Sequence, residues 1–320
     1  MPYGKDNTAK GKDNLFVLAH YDSNESEKIT APNYSYWRSV FRSFFSKKSN
    51  YVMLGLLFII LIFSYIHPFI SGFNMDGNNI NDPNMRFLPP FTTYNGTFYI
   101  FGTDNRCDSL FAAIWAGTRT SLTLALIAAA VNMTIGIIVG AFWGYSKIVD
   151  KIMTEVYNII SNVPFILFVT VFMYIVGSGF WQLVLAFTIT GWLGIAYFIR
   201  TQVIIIRDRE YNLASRCLGT PVPRMVTRNI LPYITSVIVT LLSREIPSYI
   251  SYEVFLSYIG IGMGVSIPSL GRMIQTYAAW MDSKPYVFWI PVAVAALVSI
   301  TLYVVGQNLA DSSDPKTHMQ

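Results

Sequence analysis

The apolar positions of the chain are gathered into runs. Within 36–50, Trp37, Val40, Phe41, Phe44 and Phe45 recur at helical spacing, while Arg38, Arg42, Lys47 and Lys48 lie off that stripe. The pattern predicts an amphipathic helix that lies at a membrane surface and leads into a span. Six long apolar runs follow, near 51–71, 118–143, 156–177, 181–203, 230–258 and 286–307. Each is close to or above the ~20 residues that cross ~30 Å of hydrocarbon. Little more than Gly177-Ser178-Gly179-Phe180 separates the third from the fourth, which predicts a tight helical hairpin. The second run carries Gly136, Gly140 and Gly144 at steps of four, a spacing that lets another helix approach closely.

The polar intervals organise the rest. Residues 1–35, rich in Asn, Lys, Asp and Ser without periodicity, are expected to be disordered. The amphipathic lead-in occupies 36–50 and the first span 51–71. A long loop and the lead-in to the second span cover 72–117. Residues 118–307 hold five further spans, with a polar segment at 204–229, and 308–320 form a polar terminus. Composition agrees, because 53% of residues are hydrophobic and 13% charged, against about 25% charged in soluble domains. Lys and Arg set the orientation. With the N-terminus inside, the inner segments hold most of the basic residues, among them Arg38, Arg42, Lys47, Lys48, Lys147, Lys151, Arg200, Arg207 and Arg216. The outer side holds Arg86, Arg106, Arg119, Arg272 and Lys284. This imbalance places both termini in the cytosol. The net charge of +5 is therefore an orientation signal facing lipid headgroups, and no nucleic-acid partner is expected.

Chemistry is sparse. The sequence has no GxxxxGK[ST] phosphate loop, no GxSxG and no HExxH, and His20, His67 and His318 are scattered. Gly260 to Gly264 (GIGMG) lacks GxGxxG spacing and ends a membrane run. Cys107 and Cys217 fall on opposite sides of the membrane, so they neither pair nor share a metal. No catalytic set, metal site or bound cofactor is expected. Three charges do stand inside the fifth run, Arg244, Glu245 and Glu253. A charge at bilayer depth costs at least ~2.5 kcal/mol and tends to face a partner or a wet cavity. Neighbours on a helix point about 100° apart, so Arg244 and Glu245 do not simply cancel. Either the three pair with a neighbouring helix or subunit, or they line a translocation path and meet a charged substrate. A peptide, with its ammonium and carboxylate ends, suits the second reading.

The segment Arg209–Pro232 (REYNLASRCLGTPVPRMVTRNILP) resembles the cytoplasmic EAA segment of bacterial ABC importer permeases. Leu213, Ala214 and Ser215 stand at Glu-Ala-Ala, Gly219 takes the family glycine, and Ile230-Leu231-Pro232 closes the pattern. The first position departs, with Leu213 in place of Glu. Phe101–Leu122 resembles the peptide-type segment GTDxxGRDxxxRxxxGxRxSL. Gly102, Thr103, Asp104, Gly117, Arg119, Ser121 and Leu122 match, while Cys107, Asp108 and Ser109 replace GRD and Ala113 replaces the next arginine. SYEVFLSYIGIG resembles EAxLSFLGLG, with Glu253 at the acidic position. NLADSSDPK resembles LRDALDPR, with Asp311, Asp314 and Pro315 matching. The resemblance spans about residues 36–316 and looks most like the C-type permease subunit of oligopeptide and dipeptide importers.

That resemblance implies an all-α membrane protein with six transmembrane helices, a type I ABC importer permease core and a cytoplasmic coupling helix. It implies a multi-pass protein of the bacterial cell membrane with four kinds of partner: a second homologous permease, two ATP-binding subunits, an extracellular peptide-binding lipoprotein, and membrane lipid. ATP and Mg would sit on the partner ATPases, so this chain is no enzyme. Leu213, Ala214, Ser215, Arg216, Leu218, Gly219, Thr220 and Arg224 would form the ATPase contact. Arg216, Arg224 and Arg228 suit lipid headgroups equally well. The expected activity is oligopeptide import by alternating access. Import of dipeptides, nickel or other small solutes is the alternative within the class, and a membrane receptor or ATP-independent channel is the alternative outside it.

Overall fold

A computed structural model describes residues 35–72, 82–264 and 266–314. The disorder expected for 1–35 falls, except for Ser35, outside these residues, as does Pro315 of the terminal signature. The chain divides at Ser39: 40–320 form one unit, and of the preceding unit only residues 35–39 are described. Helix α1 (Tyr36–Ser46) buries Val40 and Phe44 and leaves Arg42 exposed. The Asn50 side chain donates to the Phe44 carbonyl at 2.6 Å, tying α1 to α2 (Lys48–Tyr65). A single turn, α3 (His67–Ser71), extends α2.

Helix α4 (Leu110–Tyr145) is the central element, 36 residues long. It starts at Leu110, earlier than the run at 118 suggested, because Ala112, Ala113 and Ala116 favour helix as strongly as the apolar run does. The three glycines pack on α7 (Phe180–Arg207). A Cβ at Gly136 would lie 2.6 Å from Ile195 Cγ2, and one at Gly144 2.7 Å from the Arg200 carbonyl oxygen; at Gly140 it would run into the Ala196 backbone. The absent side chains thus set the α4–α7 distance.

The third span departs from the expected straight helix over 156–177. Two helices, α5 (Lys147–Ser161) and α6 (Phe165–Val176), meet at 73°. Pro164 stands at the break and lacks the N–H needed to continue the helix. Alone, α6 with its 12 residues is about 18 Å long, too short to cross. Among the described residues, five helices are therefore long and apolar enough to span a membrane, and six if the bent pair counts as one. Gly177, at φ 98°, turns the chain from α6 into α7, the hairpin the sequence predicts.

After α7 come α8 (Glu210–Cys217), a turn at Val222–Arg224, a widened π turn over Met225–Ile230, a tight turn over Leu231–Ile234, and α9 (Thr235–Tyr258). Helix α10 (Leu270–Tyr277) and α11 (Pro285–Ser313) are the last helices of eight or more residues among the described residues. The bundle has two ends. Near the start of α4 lies a hairpin, β1 (Thr92–Tyr94) and β2 (Thr97–Tyr99), paired Thr92 to Tyr99. Asn95 and Gly96 turn it with φ of 48° and 78°, the tight turn an Asn-Gly pair favours. At the far end α8 lies against the end of α4.

Candidate functional site

Helix α8 is fastened to the bundle and leaves apolar side chains exposed. Gly219, at φ 79°, ends it, and Thr220 N donates to the Ser215 carbonyl at 3.2 Å. A left-handed glycine after the last turn is the usual stop for a helix. Pro221 and Pro223 hold the chain just beyond it. Buried Asn212 donates to the Ile206 carbonyl at 2.9 Å, fixing α8 to α7. Asn229 Nδ2 donates to Ser215 Oγ at 3.2 Å, and the Tyr211 and Tyr233 rings stack with centroids 5.4 Å apart. Arg216 lies over the Tyr145 ring, and Arg207 donates to the Gly144 carbonyl at 2.7 Å. The short helix is thereby fastened to the ends of α4 and α7 and to the lead-in of α9.

The remaining surface of α8 is open. Leu218 is 87% exposed, and Leu213, Tyr211 and Val222 are exposed as well. Ala214, Arg216, Gly219 and Arg224 are exposed, while Ser215 and Thr220 are half-buried with hydroxyls 3.0 Å apart. All eight expected contact residues lie on one compact segment.

The three intramembrane charges are separated. Arg244 is exposed and lines a cavity of about 460 Å³ with Ser248, Ser251, Tyr252 and Tyr303. Glu245 is half-buried and lines a different cavity, of about 640 Å³, between the α5–α6 bend, α7 and α9. Tyr252 borders both. Glu253 lines neither. Fully buried, it accepts from Ser121 Oγ of α4 at 2.7 Å and from Ser257 Oγ at 2.8 Å. Ser121 Oγ in turn accepts from Leu270 N at 3.2 Å, so the carboxylate ties α4, α9 and α10 together. Sequence reasoning missed Tyr249 and Tyr252. Their spacing of four and seven from Glu245 puts them on its helix face and is the signal that finds them.

The expected lead-in before α4 is an anchor at the hairpin end. Asp104 accepts from the backbone N–H of Arg106 at 2.8 Å and of Asp108 at 2.9 Å, and from the Tyr277 hydroxyl at 2.9 Å. Thr103 donates to the Met85 carbonyl and accepts from Leu88 N at 2.8 Å. The Tyr286 hydroxyl donates to the Leu88 carbonyl at 2.9 Å. Burial raises the Asp104 carboxyl, against the pull of its N–H donors. Burial, then the Asp104 charge, push Asp108 up to about 6.

The fold is a bundle of apolar helices with a clamped short helix at one end and two cavities that Arg244 and Glu245 line. The chain belongs to the family of inner membrane components of binding-protein-dependent transport systems, whose pattern it matches over residues 132–319. Residues 35–90 match the N-terminal transmembrane domain of oligopeptide transport permease C. Among curated relatives, the chain is 48% identical over 304 residues to the oligopeptide transport system permease protein AmiD of Streptococcus pneumoniae, covering 95% of this chain and 97% of that one. It is 31% identical to the dipeptide transport system permease protein DppC of Bacillus subtilis, covering 95% and 93%. To the oligopeptide transport system permease protein OppC of Bacillus subtilis it is 29% identical, covering 95% and 97%.

Proposed function

We propose that this chain is a permease subunit of an ATP-driven oligopeptide importer and forms half of its translocation pathway. The observation that carries this reading is α8, a short helix clamped to the bundle that leaves Leu213 and Leu218 exposed. A groove on a cytoplasmic ATPase would receive these side chains, with Arg216 and Arg224 at its border. ATP and Mg would be held by two such ATPases, and a second permease would complete the pathway. A peptide-binding lipoprotein would deliver substrate to the hairpin end. Closure of the ATPases would push α8 and bias the bundle between inward-open and outward-open states. In this orientation both termini are cytoplasmic.

Relatives at 48% and 31% identity carry oligopeptide and dipeptide names respectively, so peptide length is the open choice between two readings of one class. Uptake of labelled di- and pentapeptides by proteoliposomes holding the whole transporter decides it, and preference for the pentapeptide is expected. Leu218→Asp should leave the chain in the membrane and weaken co-purification of the ATPases on the order of ten-fold. Uptake unchanged in that variant, or in one lacking 210–223, would sink the coupling reading.

A further inference from the structure

The Glu245 cavity is more than a gap beside a bent span. Its volume of about 640 Å³ falls in the ~300–1,000 Å³ range of ligand sites. Glu245 contributes a carboxylate, and Tyr157, Phe165, Phe168, Tyr249 and Tyr252 contribute rings. No Lys or Arg lines it. Arg244, the next residue, opens into the other cavity, and Arg200 is paired with Asp150 at 2.6 Å. Glu245 forms no ion pair with any described residue.

One turn from Glu245, the Tyr249 hydroxyl accepts from Asn132 Nδ2 at 2.6 Å, and that same amide donates to the Phe187 carbonyl at 3.1 Å. Two acceptor atoms nearby are unused among the described residues. Thr190 Oγ1, in the cavity wall, and Asn132 Oδ1, bonded through its own amide to Tyr249, are both buried without a partner. Buried polar atoms ordinarily find partners. A carboxylate, aromatic faces and an unpaired hydroxyl, with no Lys or Arg in the wall, are complementary to a cationic hydrogen-bond donor.

We propose that this cavity takes an ammonium group of the transported peptide, gripped by Glu245 and flanked by the Tyr249 and Tyr252 rings. The inference rests on the peptide-importer reading. The ammonium has two sources, the peptide N-terminus and a lysine side chain.

The test uses the complete transporter in proteoliposomes and three peptides of equal length, each first shown to be captured by the binding protein. One has a free N-terminus and no lysine, one is N-acetylated with a lysine, and one is N-acetylated without lysine. Uptake by Glu245→Gln is divided by wild-type uptake for each peptide. That ratio should fall about ten-fold for an ammonium-bearing peptide and stay near one for the peptide without an ammonium. The first two peptides tell which source is used. Glu245→Asp should recover part of the loss. A ratio equal for all three peptides, whether near one or uniformly low, overturns the inference and marks Glu245 as a structural residue or as a contact of the second permease. Should Glu245→Gln fail to assemble, Tyr252→Leu is read by the same ratios. Wild-type protein that takes up no peptide removes the importer reading and this inference with it, whereas equal ratios remove this inference alone.

Discussion

Glu253 illustrates how far a residue can be read before its neighbours are known. Its run of apolar neighbours announces a charge at membrane depth, but nothing in that run says that Ser121, far back in the chain, will meet it at 2.7 Å. Removing the carboxylate strands two buried hydroxyls. Glu253→Ala should cost about 2–4 kcal/mol and lower the thermal midpoint in detergent, while Glu253→Gln, which keeps an acceptor, should cost less. Asp108 gives a pH prediction. Its folded carboxyl keeps a proton up to about 6 against an ordinary value of 3.8. The folded state thus binds more protons than the unfolded one inside that window, and stability falls as pH rises through it. Asp108→Asn should flatten the thermal midpoint between pH 4 and 6 and raise it above 6; a parallel pH profile in both proteins would refute this. Cys107 stands where the resembled family pattern has glycine, and its φ of 66° is the backbone conformation that glycine adopts most easily.

At the scale of elements, periodicity predicted the long helices well because a lipid-facing helix must satisfy its own backbone and be apolar for its whole length. The glycine steps on α4 were equally legible, since small residues at i and i+4 share one face. Gly140→Val should push α4 off α7 and destabilise the bundle by about 1–3 kcal/mol, visible as reduced thermal stability and weaker membrane expression. A tolerated Val would mean that α7 can shift. The bend was not legible in hydropathy, which averages over Pro164 and reports a continuous apolar run. The β-hairpin lay hidden inside a long polar loop, although Asn95-Gly96 between Thr- and Tyr-rich triplets is its signal. The boundaries of α9 were blurred for a related reason: Pro221, Pro223 and Pro232 break the approach into short turns that no single period describes.

For the whole molecule, the short helix α8 was legible and the cavities were not. Leu213 to Arg224 are consecutive in sequence, so pattern alone collects them. The Glu245 cavity is walled by the α5–α6 bend, α7 and α9, and only folding brings these together. Stiffness between α8 and the bundle also exists only in the assembled fold. Asn212→Ala should loosen the hinge to α7 without touching the exposed Leu213 and Leu218. Peptide uptake per ATP hydrolysed is then expected to fall while ATPase recruitment persists, and an unchanged ratio would show that the Asn212 bond to Ile206 carries no force. The bend has a further consequence, for how the chain is made. A segment of 12 helical residues is below what hydrocarbon accepts as a free span, and α5, although it exposes Ile148, Ile152 and Ile159, also carries Lys147, Asp150, Lys151 and, on the same side as those isoleucines, Glu155. Delivered from a ribosome one helix at a time, this stretch has no stable place in the bilayer until α7 follows and supplies Arg200 for Asp150. Biogenesis should therefore pause here, with α4 inserted first and the bent pair drawn in together with its successor.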